Sequence, residues 1–399
     1  MGSEHHLNAD FDLDLRSGWR PPDGETARRR ITDLAWHALF LAGPGDSVLL
    51  PEPIPSDFVG YLDRLGIEAP VTTEEPNYGL GQRLSPFGWN RASADLAGRY
   101  DATVDHPDLD VVRRVNGRRF SAELEKELFD ENNTVEVLSD ETDLRSCLAA
   151  LPHSATGWVL KAEHGNAGMG NRRLRVPILS DGDLKVVRRF FEEDEAIVLE
   201  PWRRRLFDLC ATFVVRSNGE AEAFGLHELV NTADGALIGS LFCEDAKDLD
   251  EWRPVMAETV AGVSIRLAEE GYFGPACIDA FVWDEQGRHV LRRLVDLNAR
   301  REISAGAKQL WHRLGGRGAA YWRFFSRRKL DLPNSYPELE QRLGDDAFDR
   351  ERQRGVLITA PLWLGPQRRS PAKIAVLLLG RNRDEVLSMD RHLREVLEK

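Results

Sequence analysis

The chain has 399 residues, enough for two or three domains with cores of their own. It is 42% hydrophobic and 30% charged, which suits a soluble globular protein, and no apolar run approaches the roughly 20 residues of a membrane span. A net charge of −13 argues against a general nucleic-acid binder, and the polar start Met1-Gly2-Ser3-Glu4-His5-His6 lacks the apolar stretch of a signal peptide.

Residues 1–20 read as a loosely held leader. A helix is predicted over 26–42, where Ile31, Leu34, Ala35, Ala38 and Leu41 recur at helical spacing before Gly43-Pro44-Gly45. A strand at 47–50, a helix opened by Ser56 and closed by Gly66, and a strand at 68–72 then form a βαβ unit. Residues 77–90, rich in glycine and aromatics, read as an ordered loop. Beyond Arg114 a helix carries Phe120, Leu124 and Leu128, followed by a strand at 134–138 and a helix at 141–151. Two strands around a glycine loop, a helix at 183–191 and an apolar strand at 196–199 come next. Strands, including one over 223–230 with His227 and Glu228, continue with one further helix to about residue 300. A strand at 373–379 and an amphipathic helix at 383–397 end the chain, but residues 312–399 carry no motif tied to chemistry. The four cysteines, Cys147, Cys210, Cys243 and Cys277, are widely spaced with no CxxC, as expected of reduced thiols in a cytoplasmic protein. With eight lysines against 45 arginines, each lysine stands out.

Three constellations carry chemistry. In the first, Lys161 ends a strand and precedes His164-Gly165-Asn166-Ala167-Gly168-Met169-Gly170-Asn171. Such a loop lets backbone N–H groups approach phosphate oxygens, and Lys161 can aim an ammonium at them. Taken alone, an ordinary glycine-rich hairpin fits equally well. In the second, a strand runs into Glu200-Pro201-Trp202, with Asp208 six residues on. The stiff Glu-Pro hinge can present backbone groups to an adenine edge, and the later carboxylate can take ribose hydroxyls. Alone, it is a strand end with a surface acid. In the third, a hairpin turning at Glu285-Gln286-Gly287 carries Asp279 on one strand and Asp296 and Asn298 on the other. Alternation puts residues 296 and 298 on one face, and Arg300 continues it. Two carboxylates and an amide oxygen make a hard-oxygen site suited to Mg²⁺ with substrate phosphates. Apolar flanks argue against a merely solvated polar face, because they make unpaired acids costly.

In this order, the three constellations resemble the ATP-grasp superfamily over about residues 110–310. The resemblance implies an α/β (α+β) fold of two lobes that clamp ATP, preceded by a Rossmann-like N-terminal domain. The expected division is 1–110, 111–202 with the glycine loop and hinge, and 203–399 with the metal site and a C-terminal extension. On this likeness ATP is held by Arg118, Lys161, Gly165, Gly168, Gly170, Glu200, Trp202 and Asp208. Arg118 stands where many members carry a first ATP-binding lysine. Mg²⁺, with Mn²⁺ as the alternative ion, is held by Asp279, Asp296 and Asn298, and Asp296 stands where glutamate is commoner. Pro86-Phe87-Gly88-Trp89 lies toward the cleft, and His227-Glu228 lines it. Most members are carboxylate–amine ligases, so the resemblance implies an ATP-dependent, ADP-producing enzyme that forms an amide through an acyl phosphate, on an amino-acid substrate, with Arg300 and Arg301 acting on the carboxylate. The implied partners are a small carboxylate and an amine, with no nucleic acid or membrane, and a homodimer is common among relatives. A kinase that phosphorylates a small molecule and a silent nucleotide-binding module are the alternatives.

Overall fold

The computed structural model of the chain describes residues 2–16, 33–75, 83–99, 105–129, 135–151, 157–166, 169–175, 178–193, 196–233 and 235–398. Part of the helix expected over 26–42, residues 77–82 of the expected loop, and Gly168 lie outside these residues. The described part of that helix, Asp33–Leu41, winds as a 3-10 helix and buries nearly all its side chains.

The first sheet is wholly parallel, with β1 (Ser3–His6), β2 (Ser47–Leu49), β3 (Thr72–Thr73) and β4 (Arg83–Pro86) in the order β3-β2-β1-β4. The helix Ser56–Arg64 crosses from β2 to β3 and buries Phe58, Tyr61 and Leu62, completing the expected βαβ unit. The expected loose leader is corrected here, because β1 is an internal strand. Its polarity concealed it. Glu4 is fully buried, yet its carboxylate accepts hydrogen bonds from Ser47 Oγ (3.2 Å) and Thr73 Oγ1 (2.6 Å). Asp46 accepts from the Ser3 N–H at 2.7 Å. Hydroxyls on neighbouring strands thus satisfy a carboxylate that would otherwise be too costly to bury. The expected loop at 77–90 contains a strand, β4, over Arg83–Pro86, while 87–90 are irregular.

The second sheet is antiparallel, with β5 (Glu136–Leu138), β6 (Trp158–Asn166), β7 (Met169–Leu174) and β8 (Ile197–Pro201) in the order β5-β8-β6-β7. The helices Glu141–Ala150 and Asp181–Glu193 cover it through Leu144, Leu148, Val187 and Phe190. The β6–β7 hairpin carries the glycine loop.

The third sheet has eight antiparallel strands, ordered β13-β12-β9-β10-β11-β14-β16-β15. They are β9 (Arg205–Val215), β10 (Ala221–Asn231), β11 (Leu237–Cys243), β12 (Gly274–Glu285), β13 (Arg288–Asn298), β14 (Ala319–Ser326), β15 (Gly355–Ile358) and β16 (Lys373–Gly380). Residues 312–399, mute in the sequence, supply three of these strands. Ile374–Leu379 are buried throughout, because the helix Arg383–Leu397 packs on this part of the sheet. That two-sided cover explains an apolar run without alternation. The helix Arg118–Phe129 crosses β13 and β6, and Ser121 Oγ accepts from the Leu297 N–H at 3.0 Å. Among the described residues no helix is long and apolar enough to cross a membrane, and all four cysteines are free.

Candidate active site

The antiparallel register of β12 and β13 sets Asp279 directly opposite Asp296 and Cys277 opposite Asn298. Opposed residues share a face, so the two carboxylates and the amide converge. Asn298 Nδ2 approaches Asp279 Oδ2 at 3.5 Å, and Arg300 donates to Asn298 Oδ1 at 3.0 Å. Burial first, and then repulsion from Asp296, push the Asp279 carboxyl up to about 7. An unfolded aspartate releases its proton near pH ~3.9. Between these values the folded chain holds the extra proton, so stability falls as pH rises through this window. Asp279→Asn is therefore expected to unfold at a higher temperature than the parent at about pH 8 and at the same temperature near pH 4. Equal thermal midpoints at the higher pH would remove the repulsion argument.

Asp296 behaves in the opposite way. Burial alone would raise its carboxyl, but Lys161 and Arg118 outweigh burial and hold it below the usual range. Arg118 Nε lies 3.2 Å and Lys161 Nζ 3.6 Å from Asp296 Oδ1. Arg118 also donates to the Ala162 carbonyl at 2.8 Å, so its guanidinium is fixed between the helix and β6. Lys161 shares a face with Val159, whose partner across the ladder is Glu200, and its ammonium meets Glu200 Oε1 at 2.8 Å. Glu200 is buried and also accepts from Arg292 at 2.7 Å. Arg292 in turn grips Glu125 of the crossing helix through Nε at 2.9 Å and a terminal nitrogen at 2.8 Å. Burial opposes ionisation of Glu200, yet Arg292 and Lys161 bring its carboxyl down to about 2. The Glu200 side chain thus turns inward to the cations Lys161 and Arg292.

Trp202 continues the hinge, donates its N–H to the Gly157 carbonyl at 2.9 Å, and has Arg173 4.5 Å above its ring. Asp208 is paired with Arg205, and both line a recess with Trp202 that joins the main cleft. Lys161, Gly165, Asp279, Asp296, Asn298 and Arg300 line that main cleft together. Gly170 adopts a φ of +90°, which favours glycine. Arg300 donates to Asp12 at 2.8 Å and lies 4.7 Å over the Phe87 ring, so it ties the Asp279–Asp296 face to the N-terminal region. Phe87 does reach the cleft, whereas Trp89 stacks on His106 with ring centroids 4.9 Å apart. Arg301 turns away and donates to Ser85 Oγ at 2.7 Å. His227 is not among the cleft-lining residues; it is buried against Phe242 at 5.0 Å, and Glu228 is held by Arg383 at 2.8 Å. Sequence reasoning missed Asp12, Arg292, His37, Trp322, Phe324 and Lys373. Only Lys373 carried a signal, as one of the scarce lysines.

Among the described residues no cluster of three or more His, Cys, Asp or Glu side chains is arranged for a metal. Two facing carboxylates still fit Mg²⁺, which takes one or two carboxylates and completes its shell with water and phosphate oxygens, and Asn298 Oδ1 could join them on release from Arg300.

No family model and no curated protein matches the sequence. Solved structures do match. N5-carboxyaminoimidazole ribonucleotide synthetase from Thermus thermophilus is 15% identical with a TM-score of 0.55, over 92% of this chain and 96% of that one. Biotin carboxylase from Campylobacter jejuni, as a βγ-ATP complex, is 12% identical with a TM-score of 0.55, over 92% and 89%. Carboxyaminoimidazole ribonucleotide synthase from Aspergillus clavatus, complexed with ATP, is 12% identical with a TM-score of 0.51, over 85% and 94%. With the parallel sheet leading and the two antiparallel sheets meeting at the cleft, the chain has the ATP-grasp fold.

Proposed function

We propose that the chain is an ATP- and Mg²⁺-dependent ligase that joins a carboxylate to an amine through an acyl phosphate, with an amino acid as one substrate. The observation that carries this reading is the opposition of Asp279 and Asp296 in one cleft, with the cations Lys161 and Arg118 drawn onto Asp296. Cations and acids in contact are the two halves of a polyphosphate–metal site, and bound ATP would part them. Asp279, Asp296 and Asn298 would hold Mg²⁺, which offsets charge on the phosphates. The division at 1–110, 111–202 and 203–399 belongs to the same reading.

The chemistry needs positioning more than covalent participation. A carboxylate oxygen of the acid attacks the γ-phosphorus, and the bond to the β-phosphate oxygen breaks to release ADP. The amine nitrogen then attacks the acyl carbon and loses a proton, the C–N bond forms, and the acyl C–O bond breaks to release phosphate. Lys161 and Arg118 would hold the phosphates, and the hinge at Glu200-Pro201-Trp202 would seat the base through its backbone. Asp208 would lie near the ribose. Arg300, fixed by Asp12 and Phe87, would orient the carboxylate and stabilise charge on the acyl phosphate. Arg301, bonded to Ser85, supports Arg300 from behind, since Arg300 donates to its carbonyl at 3.0 Å. Glycine-loop closure would keep water from the acyl phosphate.

The test is ADP release with ATP and Mg²⁺ over a matrix of amino acids and simple carboxylates, each with and without an added amine. Release that requires both partners is expected. Release with one hydroxyl acceptor and no amine would replace the ligase with a kinase. Lys161→Met is expected to weaken ATP binding about tenfold or more, because a charge-assisted phosphate contact is lost while Arg292 still satisfies Glu200. Unchanged affinity in calorimetric titration would place the phosphates elsewhere.

A further inference from the structure

The cleft extends past the metal face to a recess whose composition differs from the rest. β14 and β16 pair so that Trp322 faces Leu377 and Ser326 faces Lys373. With a period of two, Trp322, Phe324 and Lys373 share one face of the sheet. The 3-10 helix Asp33–Leu41 brings His37 against them. His37 lies 5.6 Å edge-on from Trp322 and 6.4 Å from Phe324, and Lys373 Nζ lies 4.1 Å from the Phe324 ring centroid. All four residues line the same cleft as Asp279, Asp296 and Arg300.

Two features of this recess lack an internal explanation. Among the described residues Lys373 makes no ion pair, although burial disfavours its charge. His37 is 7% exposed, and neither ring nitrogen has a hydrogen-bond partner among the described residues. Burial and then Lys373 push this imidazole down to about 3, so at neutral pH it offers one N–H donor and one acceptor and adds no charge. A buried unsatisfied imidazole beside an unpaired ammonium costs stability. A ligand with an anionic group and a polar atom beside it would relieve both, and the aromatic walls would take a flat apolar body.

We propose that Lys373, His37, Trp322 and Phe324 form the subsite that selects the acceptor substrate, an acid or amine with a planar apolar body and a carboxylate or phosphate remote from its reacting group. The word acceptor rests on the ligase reading; the anion site itself does not. It also gives the C-terminal strands a role, because they carry three of the four residues.

The test is ligand-observed fluorine NMR of the full chain without nucleotide, using para-fluorobenzoate, para-fluorophenyl phosphate and the neutral para-fluorobenzamide as probes. At least one anion is expected to bind saturably, and the amide about tenfold more weakly or not at all. Lys373→Met should weaken the anion about tenfold, Lys373→Arg should retain it, and Phe324→Leu should weaken it while leaving its preference over the amide. Lys161→Met should bind the anion as the parent does, which separates the recess from the phosphate site. Thermal unfolding of each variant checks that it folds. Equal binding of amide and anion, anion binding indifferent to Lys373→Met, or no saturable anion binding would overturn the proposal. Absent ADP release on every acid–amine pair, with Lys373-dependent binding intact, would sink the ligase reading and leave the anion site standing.

Discussion

Asp296→Asn is expected to lower Mg²⁺-dependent ADP release roughly a hundredfold or more while the chain still folds. The substitution keeps the shape of the side chain and an oxygen that can accept from Arg118 at 3.2 Å. What it removes is charge, and that charge has two uses. On the proposed reading it is one of the two carboxylates toward Mg²⁺. Toward Lys161 and Arg118 it is the paired anion, on cations that the proposed reading gives to phosphate. The variant should therefore bind ATP more tightly than the parent when Mg²⁺ is absent, because phosphate no longer competes with a carboxylate for those cations. It should lose turnover when Mg²⁺ is present. Calorimetry with ATP alone, beside ADP release across a Mg²⁺ titration, reads both effects. Full turnover with the parent's Mg²⁺ dependence would sink the metal assignment, and weaker binding of free ATP would show that Asp296 positions Lys161 rather than competing for it.

The geometry of the hairpin was legible because it is local. Asp279, Asp296 and Asn298 lie on adjacent strands joined by a short turn at Glu285-Gln286-Gly287, and period-two alternation alone fixes which residues share a face. The β6–β7 hairpin that follows Lys161 was legible for the same reason. β1 was not, because strand reading depends on apolar alternation, and Ser3–His6 is held instead by hydroxyls of Ser47 and Thr73, far away in sequence. The recess was hidden by the same kind of separation. His37 and Lys373 meet only because β16 is the seventh strand in a sheet whose order departs from the chain. Asp12 meets Arg300 across 288 residues of sequence. Glu200 illustrates a subtler limit. The Glu-Pro hinge could be read, but the direction of its side chain depended on Arg292, which in the sequence is one arginine among 45.

Arg292→Met is expected to be the most destabilising single change around the cleft, costing about 3–5 kcal/mol in urea unfolding. The side chain is 4% exposed and bridges Glu125 and Glu200, themselves 3% and 2% exposed. Methionine fills much of the space but removes the guanidinium that Glu125 and Glu200 share, and Lys161 stays on Glu200. Lysine is no remedy, since one ammonium cannot reproduce two hydrogen bonds to Glu125 and a third to Glu200. Adding Glu125→Gln to Arg292→Met should recover part of the loss, because the remaining charge on Glu200 still has Lys161. This pairing also links stability to the nucleotide. With Arg292 gone, Lys161 is the cation left on Glu200 among the described residues, and on the proposed reading its ammonium is held back from phosphate more strongly. ATP affinity of the double variant should then fall although neither changed residue lines the cleft. A single variant within about 1 kcal/mol of the parent would mean that the two carboxylates are hydrated rather than buried. A double variant with normal ATP affinity would mean that Glu200 does not compete for Lys161.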